Sequence, residues 1–192
     1  AFGLRDAVIR YTDALTSNQN RYDLIASLNR GVEDSQYRRL ADSPHAAQAE
    51  FEMTTACWFY SDRQLTTAPL TVAGDTPALR LYDPYAPGPQ PLPEHGLVLE
   101  ENTAKTLEVS EGDTVYLRFS GNTRLYPVPV AQIERCVSGA YISRSLWRSM
   151  GLPYTPTTAY LRAADAGALQ EELNRYDFVD SWQTREAVTD AA

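Results

Sequence analysis

The stretch that decides the fold is GLVLEENTAKTLEVSEGDTVYLRF, Gly96–Phe119. Its first apolar residues lead into the acidic pair Glu100-Glu101, after which Ala104 and Leu107 supply the apolar face of a short helix. A Gly112-Asp113 turn follows, and apolar and polar residues then alternate to the end of the stretch. The pattern predicts a strand, one or two helical turns, a tight turn and a second strand.

Length and composition indicate a globular chain of ordinary size. Its 192 residues, 43% hydrophobic and 22% charged, fit one domain or two small subdomains. The net charge of -8 argues against nucleic-acid binding by phosphate neutralisation. No apolar run approaches the roughly 18–20 residues that a membrane-spanning helix requires.

The two ends of the chain show the same order of predicted strands and helices. In the first third, periodicity predicts a helix over 2–14, a strand over 22–28, a helix over 32–41 and a strand over 49–60. In the last third it predicts a strand over 157–162, a helix over 165–176 and a strand over 178–182, with Asp165 as the helix cap. We therefore expect an α+β fold, a split βαβ…βαβ sandwich with an inserted β-rich subdomain. The expected discontinuous part is 1–62 plus 153–192, and the expected insert is 63–152.

A proline-rich segment, Leu81–Gly96, lies within the expected insert. Its five prolines exclude a helix and disfavour an inner strand, so it is predicted to be a surface loop or connector. Tyr82 and Tyr85 are its candidate partner-contact residues, because aromatic side chains supply much contact area at low entropic cost. In the alternative interpretation both tyrosines pack the loop onto its own domain.

Cys57 and Cys136 are the two cysteines. Both are predicted to lie in strands, and their spacing matches no zinc or redox motif. Two interpretations stay open: two buried thiols that act as small apolar groups, or a disulfide that closes a long loop.

The sequence contains no pattern that indicates catalysis. His45 and His95 sit in loop sequence without metal-ligand spacing, and neither a serine-hydrolase elbow nor a phosphate-binding glycine loop occurs. Acidic pairs such as Glu171-Glu172 are typical of a solvated helix face. We therefore expect a protein that is not an enzyme, with no catalytic residue, cofactor or metal.

Three segments resemble, in order, the extracytoplasmic domains of FtsX-like or MacB-like ABC transporter permeases. They are AFGLRDAVIRY with the later NRYDLIASL, the stretch Gly96–Phe119, and YPVPVAQIERCVSGAYISRSLWRSMGL at Tyr126–Leu152. The third segment departs from the family pattern at Glu134–Cys136 and Ala140–Ser143, which weakens any contact assigned to that loop.

The resemblance implies a porter-like part formed by the chain ends and an inserted second part, on the extracytoplasmic face of the cell membrane. It implies tethering at both ends to transmembrane helices of the same permease, with ATP hydrolysed by a separate cytoplasmic ATPase subunit. The helix at 2–15 would transmit helix motion to export or to an extracytoplasmic partner. A homo-oligomer and an extracytoplasmic substrate or partner protein are the other partners it suggests. The alternative is a secreted or sensor ligand-binding module. A secreted module needs no membrane helix on either flank, whereas a sensor can have one on each, so several additional membrane helices would be the decisive sign of a permease.

Overall fold

The computed structural model describes residues 2–191, and this part of the chain forms six helices and nine strands. The helices are α1 Phe2–Gln19, α2 Asp34–Ala41, α3 Glu101–Leu107, α4 Arg144–Ser149, α5 Ala166–Arg175 and α6 Arg185–Asp190. The strands are β1 Leu24–Leu28, β2 Ala46–Tyr60, β3 Leu65–Ala73, β4 Leu97–Glu100, β5 Thr114–Phe119, β6 Tyr126–Glu134, β7 Ala140–Ser143, β8 Thr158–Ala163 and β9 Val179–Thr184.

The chain divides into two compact units. The first consists of Ala1–Phe51, Pro77–Gln90 and Pro156–Ala192, and the second of Glu52–Thr76 and Pro91–Thr155. This division differs from the expected one at 1–62 plus 153–192 and 63–152. The second half of β2 pairs with β3 and β5 of the second unit, so the chain changes unit inside one strand.

The first unit has the split βαβ…βαβ pattern that the sequence predicts. Its strands lie in the order β2-β8-β1-β9, and β1 is antiparallel to both of its neighbours. Each strand of one βαβ unit therefore lies beside a strand of the other, the interleaving of a ferredoxin-like sheet. The α+β fold class is confirmed.

Local sequence signals explain where the two crossover helices begin. Glu33 and Gln36 form a capping box at the start of α2. Asp165 caps α5, as predicted, and its carboxylate accepts a hydrogen bond of 3.0 Å from Ala168 N–H. Each helix buries one stripe, at Tyr37 and Leu40 in α2 and at Leu169 and Leu173 in α5.

The second unit is a closed barrel of six strands. The ring runs β2-β3-β7-β4-β6-β5 and returns to β2, since β2 pairs with both β3 and β5. The β3–β7 and β4–β6 pairs are parallel, and the other pairs are antiparallel. Closure gives every strand of this ring two hydrogen-bonded neighbours. The core it encloses includes Phe59, Leu70, Leu99, Leu117, Val130 and Ile142.

The stretch Gly96–Phe119 folds as predicted, into β4, α3, a turn at Gly112 and β5. Three features were not predicted: α1 continues to Gln19, β3 forms a full strand opposite β2, and α6 follows β9 directly. The strand β3 contains Pro69, which weakens its sequence signal.

Candidate functional site

The most unusual surface of the first unit is helix α1. All its described side chains from Gly3 to Ala14 are exposed, and Leu4 (78%), Val8 (57%) and Tyr11 (58%) are large apolar groups in open solvent. Solitary exposed apolar residues are common on any protein, but a row of them along one helix marks a surface that contacts something else.

The spacing of these apolar residues is that of a helix-packing seam. Leu4, Val8, Tyr11 and Leu15 follow one another at intervals of four, three and four residues, which places them on one stripe of the helix. Asp6 and Arg10 lie on the other side of the helix, together with one further exposed apolar residue, Ile9 (47%). Such a stripe is typical of a helix that packs against another helix rather than into a globular core.

The C-terminal end of α1, in contrast, is firmly attached to the first unit. The Asn18 side-chain amide donates hydrogen bonds of 2.8 Å to the carbonyl oxygens of both Pro84 and Ala86. Gln19 adds a side-chain bond of 3.0 Å to Leu81 O and accepts a backbone bond of 3.0 Å from Leu81 N–H. The polar groups at the helix end are thus satisfied by the start of the proline-rich segment.

The chain that follows α1 is held by the same segment. Arg21 N–H donates to Leu79 O at 2.8 Å, and the Arg21 guanidinium donates to Asn18 O at 3.0 Å. The Glu50 carboxylate accepts from the backbone N–H groups of Ala78 (3.0 Å) and Leu79 (2.8 Å), which fixes the segment from its other side. We call residues 18–21 with 78–86 the α1 anchor.

An apolar cluster underlies the anchor. Tyr22 (1% exposed), Leu79 (0%) and Tyr160 pack together, with the two tyrosine ring centroids 5.1 Å apart. Because Tyr22 is four residues beyond Asn18 and Tyr160 lies in β8, this cluster joins the end of α1 to the sheet. Hydrogen bonds and close packing therefore attach the C-terminal end of α1 to the sheet of the first unit.

Tyr82 and Tyr85, the predicted partner-contact residues, have different surroundings. Tyr82 is buried at 6% exposure, and Tyr85 is 52% exposed. The Tyr85 N–H donates to the Asp83 carboxylate at 2.9 Å, which shapes the turn that carries the ring. Tyr82 thus packs the loop onto its own unit, whereas Tyr85 remains a candidate contact.

The disulfide alternative for the two cysteines is not formed in the structure. Cys57 is a buried free thiol in β2, and Cys136 is an exposed free thiol in the turn after β6, not in a strand. Burial raises the pKa of the Cys57 thiol from its usual value of about 9 to about 12, so Cys57 stays protonated at neutral pH.

The described residues contain no group of three or more His, Cys, Asp or Glu side chains that could hold a metal ion. None of the helices within residues 2–191 has the length and apolar character needed to cross a membrane. Neither His45, half-buried, nor His95, exposed, has the surroundings of a metal ligand. Among the described residues the most distinctive arrangement is an exposed helix whose C-terminal end is attached to a packed sheet.

Comparison with solved structures finds this architecture elsewhere. The periplasmic region of MacB from Actinobacillus actinomycetemcomitans has a TM-score of 0.56 and 14% identity to this chain, and the match covers 92% of this chain and 94% of that one. This chain has the fold of the MacB periplasmic region. A second match, the extracellular domain of the noncanonic ABC-type transporter YknZ from Gram-positive bacteria, has a TM-score of 0.52 and 9% identity over 85% of this chain and 98% of that one.

The MacB-like fold confirms, at the level of architecture, the resemblance drawn from the three sequence segments. No protein-family model matches the sequence, and no curated protein matches it. Sequence reasoning missed the α1 anchor. The run Asn18-Gln19-Asn20 indicates only the end of a helix, although side-chain amides at such an end are well suited to bind exposed backbone carbonyls.

Proposed function

We propose that this chain is the extracytoplasmic domain of an FtsX-like ABC transporter permease, and that α1 couples the motion of a transmembrane helix to the domain. The observation that carries the proposal is the contrast along α1. One end has an exposed helix-packing stripe, and the other end is bound to the sheet through the α1 anchor. The MacB-like and YknZ-like fold supports it, because those domains belong to transporters.

The physical basis is that a helix is a stiff rod along its axis. Eighteen residues at 1.5 Å per residue reach about 27 Å. A shift or tilt imposed at the N-terminal end is therefore delivered almost undiminished to Asn18 and Gln19. There it moves residues 78–86, because hydrogen bonds and the packed tyrosine cluster attach the end of α1 to them.

In this proposal the domain itself performs no chemistry. ATP is hydrolysed by a separate cytoplasmic ATPase subunit, and transmembrane helices of the same permease transmit the change outward. The domain lies on the extracytoplasmic face of the membrane and acts on an exported substrate or an extracytoplasmic partner protein.

The test uses the full-length protein with its ATPase in lipid nanodiscs. Hydrogen exchange of the amides at 78–86 is measured with and without ATP, for the natural chain and for a variant with Gly-Gly-Ser inserted between Leu15 and Thr16. We expect ATP to change exchange at 78–86 in the natural protein only, while both proteins hydrolyse ATP. The same insertion between Arg124 and Leu125, two exposed loop residues before β6 of the second unit, is the control and should leave the ATP response intact.

Two results would contradict the proposal. One is an ATP response at 78–86 that survives the break in α1, since the helix would then not be the coupling element. The other is a full-length protein that fractionates without the membrane, which would favour the secreted ligand-binding module instead.

A further inference from the structure

The outer surface of the barrel carries an apolar row where a solvated sheet should be polar. Strand residues alternate between the two faces, and the interior of the second unit takes Cys57, Phe59, Val115 and Leu117. The residues between them point outward. They are Trp58 and Tyr60 on β2 and Tyr116 and Arg118 on β5, all half-buried, with Leu65 of β3 exposed at 53%.

The register places these side chains side by side. Tyr60 lies opposite Leu65 on one neighbouring strand and opposite Tyr116 on the other. Tyr116 lies in turn opposite the exposed Pro127 of β6. One step along, Trp58 is opposite Arg118. We call these six residues the aromatic face.

The sequence of β2 already has the character of a strand covered on both sides. Cys57–Tyr60, Cys-Trp-Phe-Tyr, is a continuous apolar run, whereas a strand with one solvated face alternates apolar and polar residues. The barrel interior accounts for only two of these four side chains. Trp, Tyr and Arg are also the residue types that dominate the energetics of protein interfaces.

Arg118 is positioned to bind an acidic group. Its guanidinium carbon lies 4.9 Å from the centre of the Trp58 ring and 5.7 Å from that of Tyr60. Stacking holds the planar group in place, yet its buried Nε has no hydrogen-bond acceptor in the part of the chain that the structure describes. Because the chain itself covers Nε, a partner reaches Arg118 through the outer guanidinium nitrogens, which can donate charge-assisted hydrogen bonds to a carboxylate.

The chain itself contains a segment whose prolines and acidic end complement the aromatic residues and Arg118 of the aromatic face. Residues 87–94 read PGPQPLPE, with prolines at alternate positions and an exposed Glu94 at the end. Within the first unit Pro87 O accepts a hydrogen bond from the Arg21 guanidinium at 3.3 Å, and within the second unit the buried Leu92 donates its N–H to Asp75 O at 2.8 Å. Proline-rich strands bind aromatic-lined surfaces at low entropic cost, above all when they are already ordered.

We propose that the aromatic face is a self-association site that binds residues 89–94 of a second copy of this chain, with Glu94 of that copy paired to Arg118. Proline rings pack on Trp58, Tyr60 and Tyr116, and the Glu94 carboxylate accepts from the Arg118 guanidinium. A two-fold dimer contains this contact twice, once in each direction. The contact area of one segment is small, so the association is weak and depends on concentration.

The experiment is a charge exchange followed by the oligomeric state in solution. Sedimentation equilibrium of the chain is run from about 1 µM to about 1 mM, a range that covers weak association. We expect a reversible dimer whose dissociation constant rises about tenfold or more in Arg118→Glu and in Glu94→Arg. The double variant, which reverses both charges, should return the dissociation constant to near its natural value.

Arg148→Glu, an equal change of charge at an exposed position outside the aromatic face, is the matched control and should leave association unchanged. Thermal unfolding of each variant shows whether it folds. If Arg118→Glu does not fold, Glu94→Arg and Trp58→Ser carry the test. A chain that stays monomeric over the whole range would overturn the proposal, as would a dimer whose dissociation constant is unchanged by both single charge reversals. Either result would mean that the aromatic face binds a different protein.

Discussion

Gly139, just before β7, occupies a position that admits no side chain. Its φ is +67°, and a Cβ atom built there would lie 2.1 Å from the Pro69 carbonyl oxygen of β3. Both the left-handed backbone and the close approach of the parallel strand pair β3–β7 demand glycine. A side chain at this position would therefore force β3 and β7 apart.

We expect Gly139→Ala to lower the free energy of unfolding by about 3 kcal/mol or more, the sum of backbone strain and a steric clash with main chain. Urea denaturation measures the change. Gly151→Ala is the matched control, because Gly151 has a φ of +73° but nothing within 4 Å of its Cβ position. That variant should lose only the strain, about 1–2 kcal/mol; equal losses in the two variants would show that the contact with Pro69 is unimportant.

The two cysteines should differ sharply in reactivity. Cys136 is exposed, while Cys57 is buried with a pKa raised to about 12, so a thiol reagent reaches Cys136 but not Cys57 in the native protein. Ellman's reagent should titrate one thiol rapidly in the native protein and a second only after denaturation. Absence of both thiols from the denatured, unreduced protein would mean that the disulfide forms after all.

At the scale of elements, the α1 anchor rests on the Asn18 amide. Replacing Asn18 with Ala removes donors to Pro84 O and Ala86 O and leaves two carbonyls without those partners. We expect a loss of about 1–3 kcal/mol in unfolding free energy and faster amide exchange at 78–86.

The comparison for that variant is Asn102→Ala, at an exposed position inside α3. Because alanine favours helix and the Asn102 side chain makes no hydrogen bond within residues 2–191, stability should change little or rise slightly. If Asn18→Ala behaves like Asn102→Ala, the anchor does not hold α1, and the coupling proposal loses its structural basis.

At the scale of the whole molecule, stability should fall at high pH. Burial raises the pKa of Cys57 from about 9 to about 12, and burial together with the Glu172 hydrogen bond raises that of Tyr176 from 10 to about 12. Both groups are neutral when protonated, so the stability they contribute is fully present below about pH 9 and is lost as the pH rises toward 12.

Urea midpoints measured between pH 8 and about pH 11 test this expectation. Within the window Cys57 alone can contribute a slope of up to about 1.4 kcal/mol per pH unit. A Cys57→Ala variant lacks this contribution and should show a shallower fall than the natural protein. The same slope in both proteins would mean that the buried thiol is not responsible.

The sequence alone determined the local elements and the class of fold. Alternation at Val115, Leu117 and Phe119, the cap at Asp165 and the repeated strand–helix–strand order at both ends depend on neighbouring residues, and the structure has them where the patterns predict. These features follow from backbone periodicity and local hydrogen bonding, which act over a few residues.

Tertiary structure alone decided the features that depend on distant residues. The ring closed by the β2–β3 and β2–β5 pairs, the change of unit after Phe51, the hydrogen bonds of Asn18 to residues 66 and 68 positions away and the stacking of Arg118 on Trp58 leave no local signal. Strand pairing and side-chain contacts over such separations are set by which surfaces meet when the core closes, and no short window of sequence contains both surfaces.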